Sequence, residues 1–139
     1  IDQWKMERPN CPMFKIDATT VDWGSFFETN GLPTTVDYLQ LDIDPSSNTF
    51  KVLENIDFNK LRFNVITYEH DAYDDNEIYR EKSRNLLLKA GYILIAGNIS
   101  PDENSAFEDW YVHKDYSDDL IKDISKDVLF VKDYVYVTK

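Results

Sequence analysis

"VDYLQLDIDPSSNTFKVLENIDFNKLRFNVITYEHD", residues 36 to 71, decides the fold class of this chain. Val36, Tyr38, Leu39, Leu41 and Ile43 give it a nearly continuous apolar start, which predicts a strand buried on both faces. Pro45, Ser46 and Ser47 break that run and suit a helix start, with proline in the first turn and serine as the cap. Phe50, Leu53 and Ile56 then recur at i, i+3 and i+6, the spacing of one helical stripe. In "LRFNVITYEHD" the residues turn β-branched and aromatic again, from Phe63 through Val65, Ile66, Thr67 and Tyr68, before ending on the polar cluster Glu69-His70-Asp71.

On the C-terminal side, "NEIYREKSRNLLLKAG" predicts a helix capped near Asn76 and stopped by Gly91, with Glu81 and Arg84 spaced to pair on one face. "YILIAGNI" (92 to 99) predicts a third strand, and "FEDWYVH" (107 to 113) a fourth, close enough to pair antiparallel with it. On the N-terminal side, "MFKI" (13 to 16) predicts a short strand. "VDWGSFFETNG" predicts a short helix that carries Val21, Trp23, Phe26 and Phe27 and ends at Gly31. Residues 1 to 12 form an irregular lead-in, and residues 117 to 139 hold a weak helix, "SDDLIKDI", and a β-rich tail of open placement. Strand, helix, strand, helix, strand predicts an α/β fold with a crossover-connected, mostly parallel sheet and a C-terminal antiparallel hairpin. The chain, which begins at Ile1, is read as one domain over 1 to 139, part of a longer one.

At 139 residues, 42% hydrophobic and 14% aromatic, the chain is large enough for one core. A net charge of −11 repels polyanions, and the basic residues are scattered, so nucleic acid is not an expected partner. No run of 18 apolar residues and no signal-peptide pattern is present, so a soluble, cytoplasmic chain without a membrane partner is expected. The lone Cys11 fits a reducing compartment and has no nearby base to activate it. Gly24, Gly31, Gly91 and Gly97 stand alone, so neither phosphate-cradling glycine motif occurs.

Ligands of open α/β sheets sit outside the carboxyl ends of the strands, where both polar clusters, Asp42/Asp44 and Glu69/His70/Asp71, are expected. If their strands are neighbours, the clusters share one crevice. If the first strand persists through residue 44, Asp42 and Asp44 face the same side. Two close carboxylates call for a cation, a donor or a shared proton. They fit a divalent metal site, a general acid or base, or an anchor for a hydroxyl or ammonium group. The plainer alternative has Asp44 capping the helix and Asp42 bonding a loop. His70 beside two acids suits a proton shuttle with a raised pKa, or is a solvent-exposed loop residue. His113 is read as structural or exposed, and "DWYV" as sheet packing, with Asp109 placed to line a pocket mouth.

"TTVDWGSFFETNGLPTTVDYLQLDIDP", "VITYEHD", "LLLKAGYILI" and "FEDWYV", in that order between Asp17 and His113, resemble the C-terminal half of FkbM-type methyltransferases. These are S-adenosylmethionine-dependent enzymes of the Rossmann-like class. Most members carry Glu-Gly where this chain has Asp44-Pro45, which keeps a carboxylate on a shorter arm. The resemblance implies a class I methyltransferase sheet without its first two strands, the glycine-rich cofactor loop and a ribose-holding acid lying upstream of Ile1. It further implies that Asp17, Ala18 and Asp42 contact S-adenosylmethionine. Asp44, Glu69 and His70 would face the hydroxyl of a sugar, glycan or small-molecule acceptor, with Asp42 or His70 taking its proton. Two other readings stand beside it. One is a metal-dependent nucleotide-sugar glycosyltransferase using Asp42 and Asp44, and the other a non-catalytic α/β binding or oligomerisation module.

Overall fold

The computed structural model describes residue 17 and residues 19–74, 77–102 and 104–116. The expected strand at 13 to 16, Cys11, the helix cap near Asn76 and the tail beyond residue 116 lie outside the described residues.

Helix α1 (Trp23–Thr29) begins where the Asp22 side chain accepts a hydrogen bond from the Ser25 N–H at 2.9 Å. It ends at Gly31, whose φ of +60° is the left-handed conformation that a residue without Cβ adopts freely. Only Phe27 of this helix is fully buried, with Trp23 partly packed, while Val21 and Phe26 face outward. The helix therefore docks by a narrower stripe than its four apolar residues suggest.

Strand β1 (Thr35–Leu41) leads through helix α2 (Ser46–Glu54) to strand β2 (Arg62–Glu69). Pro45 occupies the cap position with no side-chain bond, and Ser46 is the first helical residue, so proline and serine exchange the positions expected of them. Of the predicted stripe, Leu53 is buried within α2, Phe50 is partly buried, and Ile56 is buried just beyond the helix's end. Helix α3 (Glu77–Lys89) stops at Gly91, with φ +94°, and is followed by β3 (Tyr92–Ile99) and β4 (Glu108–His113). Single 3-10 turns cover Ala72–Asp74 and Lys114–Tyr116.

The four strands form one mixed sheet in the order β1-β2-β4-β3. β1 and β2 pair in parallel, and β4 runs antiparallel to both β2 and β3. Three strands thus share one direction, but only one pair is parallel, because the hairpin partner of β3 inserts beside β2 instead of closing the sheet from outside. β1 differs from its expected burial on both faces. It has one neighbour among the described strands, and Asp37, Tyr38 and Gln40 are exposed, Tyr38 by 52%.

Leu41, Leu53, Ile66, Tyr68, Leu87 and Tyr111 belong to the main core, packed between the sheet and its helices. Full burial of one such aliphatic side chain contributes about 1.5–3 kcal/mol. Ala96 and Ile99 form a smaller cluster with Phe107 and Trp110 packed against it. His113 is buried with its ring edge-on to Tyr92 at 5.2 Å, a packing role. Among the described residues no helix is long and apolar enough to cross a membrane.

Candidate active site at the carboxyl ends of the parallel strands

Parallel pairing sets Leu41 beside Tyr68, so Asp42 and Glu69, the next residue of each segment, emerge side by side. The two clusters of the sequence therefore meet at one edge. Glu108 joins them as the partner of Glu69 on β4. β1 ends at Leu41, so Asp42 and Asp44 are not related by an extended two-residue repeat. Thr49 of α2 holds the intervening residue instead. The Ile43 N–H donates to its hydroxyl at 3.1 Å, and the hydroxyl donates to the Ile43 carbonyl at 2.7 Å. The Asp44–Pro45 peptide is cis, and Asn48 Nδ2 donates to the Asp44 carbonyl at 3.2 Å. No side-chain bond caps α2, so the carboxylates are not consumed by capping it.

Burial first, and then a hydrogen bond to Asp42, push the Glu69 carboxyl from an ordinary 4.5 up to about 9. Asp71 is also raised, since burial outweighs its bonds from Glu69 and Tyr73, and the Asp44 charge adds to the effect. Glu108 is raised by burial against the lowering bond from the Trp110 indole, with Asp42 again adding repulsion. A proton held on Glu69 relieves this crowding. The crevice can donate that proton, accept one at Asp42, or hold a cation.

His70 is fully buried and turned away from its acidic neighbours in sequence. Its Nδ1 accepts the Ala72 N–H at 3.1 Å, and its Nε2 faces Asp109 Oδ1 at 3.4 Å. Asp109, also fully buried, takes a bidentate pair from Arg84, with Nε to Oδ2 at 2.8 Å and Nη2 to Oδ1 at 2.9 Å. Burial pushes the Asp109 carboxyl up, but the bonds from Arg84 and the nearby His70 ring together outweigh it and hold the group well below the usual carboxylate range. The expected Glu81–Arg84 pair is thus replaced by a longer-range one, and Asp109 lines no pocket mouth. Asp17 is exposed, and Ala18 lies outside the described residues.

Two cavities, of about 490 and 670 Å3, flank α1. The first reaches Thr34 and Leu61, which precede β1 and β2, and the second reaches Trp23, Lys51 and Val52. Neither is lined by Asp42, Glu69 or Asp71, so these two spaces and the concentrated chemistry lie apart. The chemistry is the better guide, because the carboxyls raised by burial and by one another, Glu69, Asp71 and Glu108, cluster at the strand ends. A scan against protein-family models, a search of curated proteins and a search of solved structures each find no match to this chain.

Proposed function

We propose that this chain is the later part of an S-adenosylmethionine-dependent methyltransferase domain of the Rossmann-like class, acting on a hydroxyl of a sugar or small metabolite. The observation that carries the reading is the β1–β2 pairing, which joins Asp42 to Glu69 and Asp71 at the ligand-binding edge of an α/β sheet. The ordered motifs from Asp17 to His113 resemble those of FkbM-type methyltransferases. The outer edge of β1, unpaired among the described strands, leaves room for the two further strands of such a sheet.

The cofactor suits the crevice chemically. S-adenosylmethionine carries a sulfonium and an ammonium group, and a partly buried carboxyl cluster complements a cation. Asp17, Ala18 and Asp42 are the residues that the resemblance assigns to it, and when bound it supplies an electrophilic methyl group. Glu69 keeps its proton, so Asp42 is the carboxylate that accepts the proton of an incoming hydroxyl. His70, held against Asp109, leaves that step to Asp42. Asp44 and Asp71 border the acceptor and reward a ligand that donates hydrogen bonds.

The glycosyltransferase reading needs Asp42 and Asp44 to converge on a metal, and the end of β1 at Leu41 removes the extended geometry that their spacing suggested. Among the described residues no group of three or more His, Cys, Asp or Glu side chains is arranged to hold a metal. Titration of S-adenosylhomocysteine into the labelled protein, followed by amide chemical shifts, tests the proposal even at low affinity. Shifts centred on Asp42, Glu69 and Asp71 are expected. A response at those amides only to a nucleotide sugar with manganese overturns it.

A further inference from the structure

We propose that His70, Asp109 and Arg84 are positioning residues. Anchored from behind by the carboxylate that Arg84 grips, the His70 ring closes the turn that presents Glu69 and Asp71 to the crevice beside Asp42. The inference rests on the reading of that crevice as the reacting site, although the turn and its anchor are defined by geometry alone.

The turn needs holding. Asp71 takes φ +48°, a left-handed conformation that its Cβ disfavours. The Phe107 carbonyl accepts two hydrogen bonds there, from the His70 N–H at 2.7 Å and the Asp71 N–H at 3.1 Å. The third tie is the Ala72 N–H, which donates to His70 Nδ1. As an acceptor Nδ1 carries no proton, so the neutral ring carries its proton on Nε2, which lies 3.4 Å from Asp109 Oδ1, in electrostatic contact but not aligned for a hydrogen bond. With the ring drawn inward, its neighbours at 69 and 71 are left to the crevice side.

Asp109 is built to be immovable. Besides the Arg84 fork, its Oδ1 accepts the Asn98 N–H at 2.9 Å and its Oδ2 accepts the Tyr111 hydroxyl at 3.0 Å. Arg84 Nη2 also bonds Asn98 Oδ1 at 3.0 Å, and Arg80 Nη1 donates to the same oxygen at 3.1 Å. Gly97 makes room, since a Cβ there would lie 3.2 Å from Arg84 Nη2 and 3.5 Å from Asp109 Oδ1. Well-packed apolar residues could fill this volume without the desolvation cost of a buried ion pair. What the charged pair adds is one carboxylate of fixed direction behind His70, which ties helix α3 to the crevice.

The test uses imidazole 15N shifts and the 13C titration of the Glu69 carboxyl in the whole chain. Neutral His70 is expected to carry its proton on Nε2, and Glu69 to titrate near 9. In Asp109→Asn, the Glu69 midpoint is expected to fall by about one unit or more as the turn releases it. Leu87→Ala, a core truncation on α3, is expected to lower stability while leaving both signals in place. Should Asp109→Asn not fold, His70→Gln serves: it reaches toward Asp109 but lacks an acceptor at the Nδ1 position, and the same fall is expected. An Nδ1–H tautomer in the wild type, or an unmoved Glu69 midpoint in either folded variant, overturns the proposal. Neither readout involves the cofactor. A response of the crevice amides only to a nucleotide sugar with manganese, with these results intact, therefore refutes the methyltransferase reading alone.

Discussion

Glu69→Gln is expected to stabilise the protein, and to do so more strongly the higher the pH. In the folded chain burial and the neighbouring carboxylates hold the Glu69 proton up to about 9, whereas an unfolded chain releases it near the ordinary 4.5. Between those values the native state binds more protons than the unfolded state. Stability contributed by the protonated carboxyl is therefore fully present below about 4.5 and is lost as pH rises toward 9. The steepest slope for one group is about 1.4 kcal/mol per pH unit, so the whole window sets a ceiling of about 6 kcal/mol. Glu69 is only half-buried, and water entering an open crevice screens its charge, which reduces the expected effect to about 1–2 kcal/mol. Glutamine does not ionise, and its amide still donates to Asp42. Urea unfolding of both proteins at a series of pH values from about 4.5 to about 9 isolates the Glu69 share. The difference should start near zero and reach about 1–2 kcal/mol in favour of the variant, or about 3–6 °C in Tm. A difference that does not change with pH, or one that favours the wild type at the alkaline end, refutes the reasoning.

Gly97→Ala should destabilise the chain by about 1–2 kcal/mol in urea unfolding, because its Cβ would press on the Arg84 guanidinium held by Asp109. Thr49→Val, nearly isosteric, removes both bonds to Ile43 and should cost about 1–2 kcal/mol. Hydrogen exchange at the Ile43 amide should speed up in that variant.

The elements of this fold were legible wherever local pattern suffices. The β-branched and aromatic run over 63 to 68, the buried Leu53 and the stop at Gly91 all appear where their spacing and chemistry require. What local pattern cannot carry is the identity of a distant neighbour. Val36, Tyr38, Leu39, Leu41 and Ile43 read as an interior strand, yet among the described strands β1 lies at the sheet edge, and Ile43 belongs to the loop after it. Arg84 has Glu81 at helical spacing but pairs with Asp109, on a strand that follows two elements later. The meeting of Asp42 with Glu69 could be stated only as a condition on strand order, and the parallel pairing meets it. His70 shows the same limit from the other side. Its sequence neighbours are acids, but the turn after β2 draws its ring inward, and the acid that ring faces is Asp109.

The insertion of β4 between β2 and β3 also dictates the order in which the molecule can assemble. Residues 92–99 have no sheet partner among the described strands except β4, so during synthesis β3 must wait for residues 108–113 before its backbone groups are satisfied. Joining β2 to β4 then closes a loop that contains all of α3 and β3. Long loops of this kind raise contact order and slow the folding step. The last described strand is thus the keystone of the sheet. A chain stopped before residue 107 would leave β3 without a partner among the described strands, an edge prone to recruit a strand from another molecule.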